Sequence, residues 1–195
     1  MNQTSLHDVD WTTLPTPQDD GLCDHLTGMQ MPDCEIPSTD NQSVNLATVP
    51  GLSVLFFYPM TARPGVALPA DWDSIPGARG CTPEACAFNN LVSALAAAGT
   101  HQIYGISTQS TQYQQEAAER LKLDYALLSD EALELTTALN LPTFDVEQHR
   151  LIKRLTVLVN SGRIIKVFYP IFPPDEHPQQ VLGYLSDDRV QALLE

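Results

Sequence analysis

Positive charge is scarce in this chain. Ten Lys and Arg stand against 24 Asp and Glu, a formal net charge of −14 over 195 residues. Phosphate binding needs a basic surface, so nucleic acid and anionic membrane are not expected as partners. Long apolar runs are also missing. No stretch reaches the roughly 18 residues that a membrane-spanning helix needs. The opening residues, Met1 to Asp8, carry neither a basic region nor an apolar core. No signal peptide is expected there, and the expected location is cytoplasmic. Cysteine is sparse, with Cys23, Cys34, Cys81 and Cys86 and no C-x-x-C spacing. No His lies at zinc-finger distance from a Cys, so no metal site is expected. His7, His25, His101, His149 and His177 are scattered, which gives little support to a Cys–His hydrolase. Gly77-Ala78-Arg79-Gly80 is too short for a phosphate loop and lacks its Lys. No internal repeat is present.

What is present reads as one domain. The length and the 43% hydrophobic content suffice for a single core. Residues 1–25 are polar, with Pro15, Pro17, Asp19, Asp20 and Gly21. They read either as an irregular arm pinned by Trp11 and Leu14 or as a disordered tail. Residues 26–195 carry the domain. Cys34–Ile36 and Val44–Leu46 flank Asp40-Asn41-Gln42, a hairpin pattern. Leu52–Tyr58 is continuously apolar, as in a strand covered on both faces. Residues 59–80 are rich in Pro and Gly and read as a loop. Its Trp72 either lies over Cys81 as a lid or simply anchors the loop. Further on, Gln102–Ser107 reads as a strand and Gln109–Leu121 as a helix. Tyr125–Leu128 is a short strand, followed by a helix from Ser129 or Asp130 to Asn140. Leu151–Val159 and Arg163–Tyr169 read as strands joined by the hairpin signal Asn160-Ser161-Gly162. A last helix runs through Val181, Leu182 and Leu185. Strands alternating with helices, plus a terminal hairpin, predict an α/β fold around a mixed sheet flanked by helices.

The chemistry concentrates in Gly80-Cys81-Thr82-Pro83-Glu84-Ala85-Cys86 and the helical run to Ala98. Thr82 suits an N-cap, Pro83 the first helical position, and Gly99 the stop. Cys81 then sits at a helix N-terminus, where unpaired N–H groups and the macrodipole lower a thiol pKa. Phe88, Leu91, Val92 and Leu95 mark the buried stripe, and Cys81 shares that side. Cys86 falls on the other face, among Asn89, Asn90 and Ser93, and reads as the exposed thiol. In one helix the two Cα atoms would be roughly 8–9 Å apart, rotated by roughly 140°. A disulfide needs less than about 7 Å, so the pair could join only if the first turn unwinds. A sheltered nucleophile and an exposed partner suggest a two-step redox cycle. The alternative is a pair of structural cysteines.

Phe56-Phe57-Tyr58-Pro59, then Gly80 through Phe88, resembles the peroxiredoxins, above all the bacterioferritin comigratory protein or peroxiredoxin Q subgroup. There the peroxidatic and resolving cysteines are also five residues apart. Leu127-Leu128-Ser129-Asp130 resembles that family's strand-to-helix junction. Arg154 through Asn160, then Gly162-Arg163-Ile164, resembles its arginine-bearing strand and hairpin. Gly28 to Pro32-Asp33 and Ile36-Pro37 resembles its opening hairpin. The likeness spans about residues 26–186 and implies a thioredoxin-like fold with an N-terminal hairpin. One departure stands out. The family carries Thr or Ser three residues before the peroxidatic cysteine and Pro seven before; here those positions hold Ala78 and Ser74. Met60 to Gly80 is longer than the family's usual loop, as though an insertion delayed Cys81. Pro59 takes the family's proline role, and Thr61, Ser74 and Thr82 remain open as the replacement hydroxyl.

The resemblance implies a thiol peroxidase acting on hydrogen peroxide or organic hydroperoxides. Cys81 would be the peroxidatic thiolate, Cys86 the intramolecular resolving thiol, and Arg154 the cation that stabilises thiolate and transition state. Pro59, Gly80 and Thr82 would contact the peroxide. No metal, flavin or haem is required. The implied reductant is a thioredoxin- or glutaredoxin-like dithiol protein, and the implied state a monomer or homodimer. Cys23 and Cys34 fall outside the motif. Two rivals are a dithiol–disulfide oxidoreductase without peroxidase activity, disfavoured by the missing C-x-x-C, and a redox-inactive binding protein on the same fold.

Overall fold

The computed structural model describes residues 9–194. Met1 to Asp8, on which the expected lack of a signal peptide rests, lie outside the described residues. From residue 9 the chain crosses the surface with one 3-10 turn, Trp11–Thr13, capped by the Asp10 side chain. The first strands form the expected hairpin, β1 (Glu35–Pro37) and β2 (Ser43–Asn45), paired antiparallel. β3 (Leu52–Phe57) is buried along its whole length. Helix α1 (Cys81–Ala97) follows, then β4 (Thr100–Ser107), α2 (Thr111–Leu121), β5 (Leu127–Ser129) and the short α3 (Glu134–Ala138). The C-terminal part adds β6 (Thr143–Val146), β7 (His149–Ile152), β8 (Leu155–Asn160), β9 (Arg163–Phe168), α4 (His177–Leu185) and α5 (Asp188–Leu194).

The main sheet has the order β5-β4-β3-β8-β9. β3, β4 and β5 run parallel, while β8 pairs antiparallel with β3 and with β9. The continuous apolar run of β3 follows from its place at the centre. Val54 and Phe56 face a cluster with Phe88 and Leu95 of α1 and Val181 and Leu185 of α4. Leu55 and Phe57 face the opposite cluster, with Ile36 of β1, Leu135 of α3 and Leu26. Both faces are covered, so alternation of apolar and polar residues disappears. Ser161 and Gly162 both have positive φ, the turn that matches the twist of the β8–β9 ribbon.

Several elements differ from expectation. The run Leu151–Val159 is not one strand. It breaks at Lys153 and Arg154, and its first half belongs to a separate hairpin with β6. Thr143–Val146 has no alternating signal strong enough to announce that partner. The helix expected from Ser129 or Asp130 to Asn140 forms only over five residues. The Asp130 carboxylate accepts from the backbone N–H groups of Leu135 and Thr136, which holds the chain in a turn before the helix starts. The loop 59–80 contains a 3-10 turn, Trp72–Ser74. No helix of the described residues is long and apolar enough to cross a membrane.

Candidate active site

Helix α1 points its first turn at the break between β7 and β8, and that meeting point is the site. The cap residue is Gly80, not Thr82. Gly80 has φ 106°, a conformation open to glycine at little cost. Even without strain no other residue would fit: a Cβ here would lie 2.7 Å from the Trp11 ring and closer still to the Pro174 ring. Cys81 is therefore the first helical residue, and Thr82 and Pro83 are the second and third. Phe88, stacked on Phe56 with ring centroids 4.5 Å apart, fixes the helix on the sheet two residues beyond Cys86.

Cys81 is 3% exposed. Its thiol donates to the Ala78 carbonyl at 3.6 Å. The Arg154 Nη2 lies 3.2 Å from the sulfur and also donates to the carbonyls of Ala78 (3.4 Å) and Arg79 (3.2 Å). The Nη1 side of the same guanidinium forms a buried ion pair with Glu84. Arg154 thus approaches from the strand break, not from inside a strand as expected. Lys153, just before it, is held by Pro142 O and by an ion pair with Asp20 of the N-terminal arm.

Sequence reasoning missed Glu84. It is fully buried and follows Cys81 by three residues, so both project from one side of the helix. A carboxylate on the buried face of an otherwise apolar first turn was the available signal. Burial pushes its carboxyl up to about 7, against the pull of Arg154. Burial likewise pushes the Cys81 thiol up from its ordinary value; Arg154 pulls it down, and Glu84 pushes it up. The helix N-terminus therefore does not lower the thiol pKa unaided, as the sequence led one to expect. Desolvation opposes it, and the guanidinium is the main group favouring thiolate.

Cys81 borders a cavity of about 20 Å³. Ala78 to Pro83 line it together with Met60, Ala62, Leu68 and Trp72. Gly80 and Thr82 are among its lining residues. Pro59 is buried but does not line it; its neighbour Met60 does. Of the three candidate hydroxyls, Thr82 alone borders the cavity. Thr61 donates from Oγ1 to Gln109 Oε1 (3.1 Å), and Ser74 is exposed. Cys86 is half-buried, less open than expected, and burial pushes its thiol up. All four cysteines are free thiols. Cys23 is buried and pushed up to about 12, which makes it a poor nucleophile. His177 is buried edge-on against Phe88 and Phe168, and burial pulls it down to about 4, so it stays neutral.

A family model described as Redoxin matches residues 26–182. A putative peroxiredoxin bcp from Coxiella burnetii is 28% identical over 165 residues, covering 81% of this chain and 97% of the relative. Peroxiredoxin Bcp from Escherichia coli K12 is 27% identical over 160 residues, covering 80% and 92%. Among solved structures, peroxidoxin BcpB from Mycobacterium tuberculosis superposes with a TM-score of 0.65 at 28% identity, covering 82% of this chain and 95% of the other. The bacterioferritin comigratory protein of Xanthomonas campestris, whose structure is described in terms of alkyl peroxide reduction, superposes with a TM-score of 0.65 at 21% identity, covering 86% and 98%.

Proposed function

The chain belongs to the Redoxin family and is a thiol-dependent peroxidase, and we propose that Cys81 attacks the peroxide and Cys86 resolves the product. One observation carries this assignment: Arg154 Nη2 stands 3.2 Å from the Cys81 sulfur in a buried site at a helix N-terminus. A guanidinium keeps its charge when buried, so it can hold a thiolate that burial alone would protonate. It also offers a donor where charge develops as the O–O bond breaks.

The cycle balances without a cofactor. The Cys81 thiolate forms a bond to one peroxide oxygen, and the O–O bond breaks. The sulfur is oxidised to sulfenic acid, and the departing oxygen takes a proton to leave as water or alcohol. The Cys86 thiol then attacks the Cys81 sulfur, and the hydroxyl leaves as water with the thiol proton. An external dithiol protein returns the disulfide to two thiols and is itself oxidised. Thioredoxin-type reductants suit this step. A thioredoxin or glutaredoxin as the specific partner, a monomer or homodimer as the working unit, and a cytoplasmic location belong to the same proposal.

Both cysteines lie within α1, so helix geometry places their Cα atoms roughly 8–9 Å apart. Resolution therefore requires the first turn to open. The test is a stopped-flow assay of the reduced protein with hydrogen peroxide. Rapid loss of one thiol, followed by a Cys81–Cys86 disulfide in the mass map, is the expected result. An unreactive Cys81 would remove the assignment.

A further inference from the structure

The stretch between Pro59 and Cys81 is longer than the family likeness calls for, and the structure shows where the extra residues go. They fold back beside the nucleophile. Leu68 and Trp72 line the cavity beside Cys81 together with Met60 and Ala62. Trp72 is 4% exposed and packs with Ala78, Val146 and Leu151. Its ring lies 6.2 Å from that of Phe144. Val146, Leu151 and Phe144 all belong to the β6–β7 hairpin, so Trp72 stands on a second element. Two polar ties reinforce it: Ala70 N–H donates to Glu147 Oε1 (3.2 Å), and Arg79 pairs with Asp73 (3.1 Å).

We propose that Leu68 and Trp72 are specificity-determining residues that favour hydrogen peroxide over bulky organic hydroperoxides. This rests on the peroxidase reading above. The cavity of about 20 Å³ holds little more than one water-sized molecule. Attack requires sulfur and both peroxide oxygens to lie nearly in line, so any alkyl group must point away from Cys81. Leu68 and Trp72 line the same small cavity as Cys81, so an alkyl group carried within it meets these side chains. Hydrogen peroxide places only a hydrogen there. A branched or aromatic hydroperoxide places carbon atoms where Leu68 and Trp72 already stand, and it must displace a packed indole to react.

The test compares second-order rates of Cys81 oxidation by hydrogen peroxide and by cumene hydroperoxide, in the full chain and in Trp72→Ala and Leu68→Ala. The readout is the ratio of the two rates. Wild type should discriminate against cumene hydroperoxide. Removing the indole should shift the ratio toward it by about tenfold or more, and Leu68→Ala by several-fold, as for other pocket truncations. Leu68 is only half-buried, so it carries the test if Trp72→Ala fails to fold. A ratio within about threefold of wild type overturns the proposal, since steric exclusion is worth more than that. A shift toward hydrogen peroxide also overturns it, because the two side chains would then grip the alkyl group instead of excluding it. Wild type unreactive toward both peroxides would overturn the peroxidase reading itself, an outcome distinct from an unmoved ratio.

Discussion

Arg154 touches Cys81 and Glu84 at once, one guanidinium nitrogen on the sulfur and the other on the carboxylate. The cation is therefore shared. Whatever Glu84 takes of its charge is not available to the thiolate, and the protonation state of one buried carboxyl sets the electrostatics of the nucleophile.

Replacing Arg154 by Met should raise the Cys81 pKa and slow its oxidation by hydrogen peroxide by about a hundredfold or more, the usual cost of one lost transition-state donor. Glu84 loses its partner in the same variant and should stay protonated at neutral pH, which spares the fold an isolated buried charge. Stopped-flow rates and the ultraviolet absorbance of the thiolate check both effects. An unchanged rate would mean that the guanidinium takes no part in the attack.

Glu84→Gln should lower the Cys81 pKa. The carboxylate pushes the thiol up, and its removal leaves the whole Arg154 charge facing the sulfur. A titration of the thiolate absorbance in variant and wild type reads the shift directly. A rise would show that Glu84 acts mainly by holding Arg154 in place.

The same residue predicts a pH dependence of stability. Its folded pKa of about 7 lies above the ordinary 4.5. Between those values the folded protein holds a proton that the unfolded chain has released. Folding stability from this group is thus fully present below about pH 4.5 and declines as pH rises to about 7. Urea unfolding at several pH values should show wild type losing on the order of a few kcal/mol relative to Glu84→Gln across that window. A difference that stays flat with pH would mean that Glu84 titrates normally.

Cys81→Ser should abolish peroxide reduction. Cys86→Ser should complete one fast oxidation and then stall, with oxygen adducts on Cys81 visible by intact mass. If the Cys86 variant turned over at the normal rate with thioredoxin alone, Cys86 would not be the resolving thiol.

Trp11 should govern how fast the disulfide closes. Its ring and Pro174 wedge against Gly80, the residue that starts α1, and its indole N–H donates to Asp175 at 3.0 Å. Phe88 anchors the helix beyond Cys86, so opening should stop there and expose roughly residues 81–87. Trp11→Ala should therefore speed disulfide formation after sulfenic acid appears, while hydrogen exchange in that segment of the reduced protein rises. Equal exchange protection in reduced and oxidised wild type would mean that no turn opens at all.

The sequence alone carried the fold class, the central strand, both hairpins at the chain's two ends and the cysteine helix. Those elements depend on local patterns: continuous apolar residues in a strand covered twice, a turn that needs positive φ at Ser161 and Gly162, an apolar stripe at helical spacing. It also singled out Cys81, Cys86 and Arg154, through residue type, spacing and a family likeness. What it could not carry was contact between distant segments. The break at Lys153 and Arg154 was hidden because apolar, strand-forming residues flank the two charged ones on both sides, and only the β6–β7 hairpin reveals that the chain turns there. Glu84 carried no assigned role in the sequence, because only the fold buries it beside Arg154. The thiol pKa went the opposite way from the helix-dipole argument because desolvation is a property of the packed environment, not of the helix. The cap of α1 rests on Gly80 because Trp11 and Pro174, about 70 and 94 residues away along the chain, occupy the space where a side chain would be. Trp72 could be a lid or an anchor in the sequence; tertiary packing shows the anchor, on the β6–β7 hairpin, and places the same residue in the lining of the cavity that Cys81 borders.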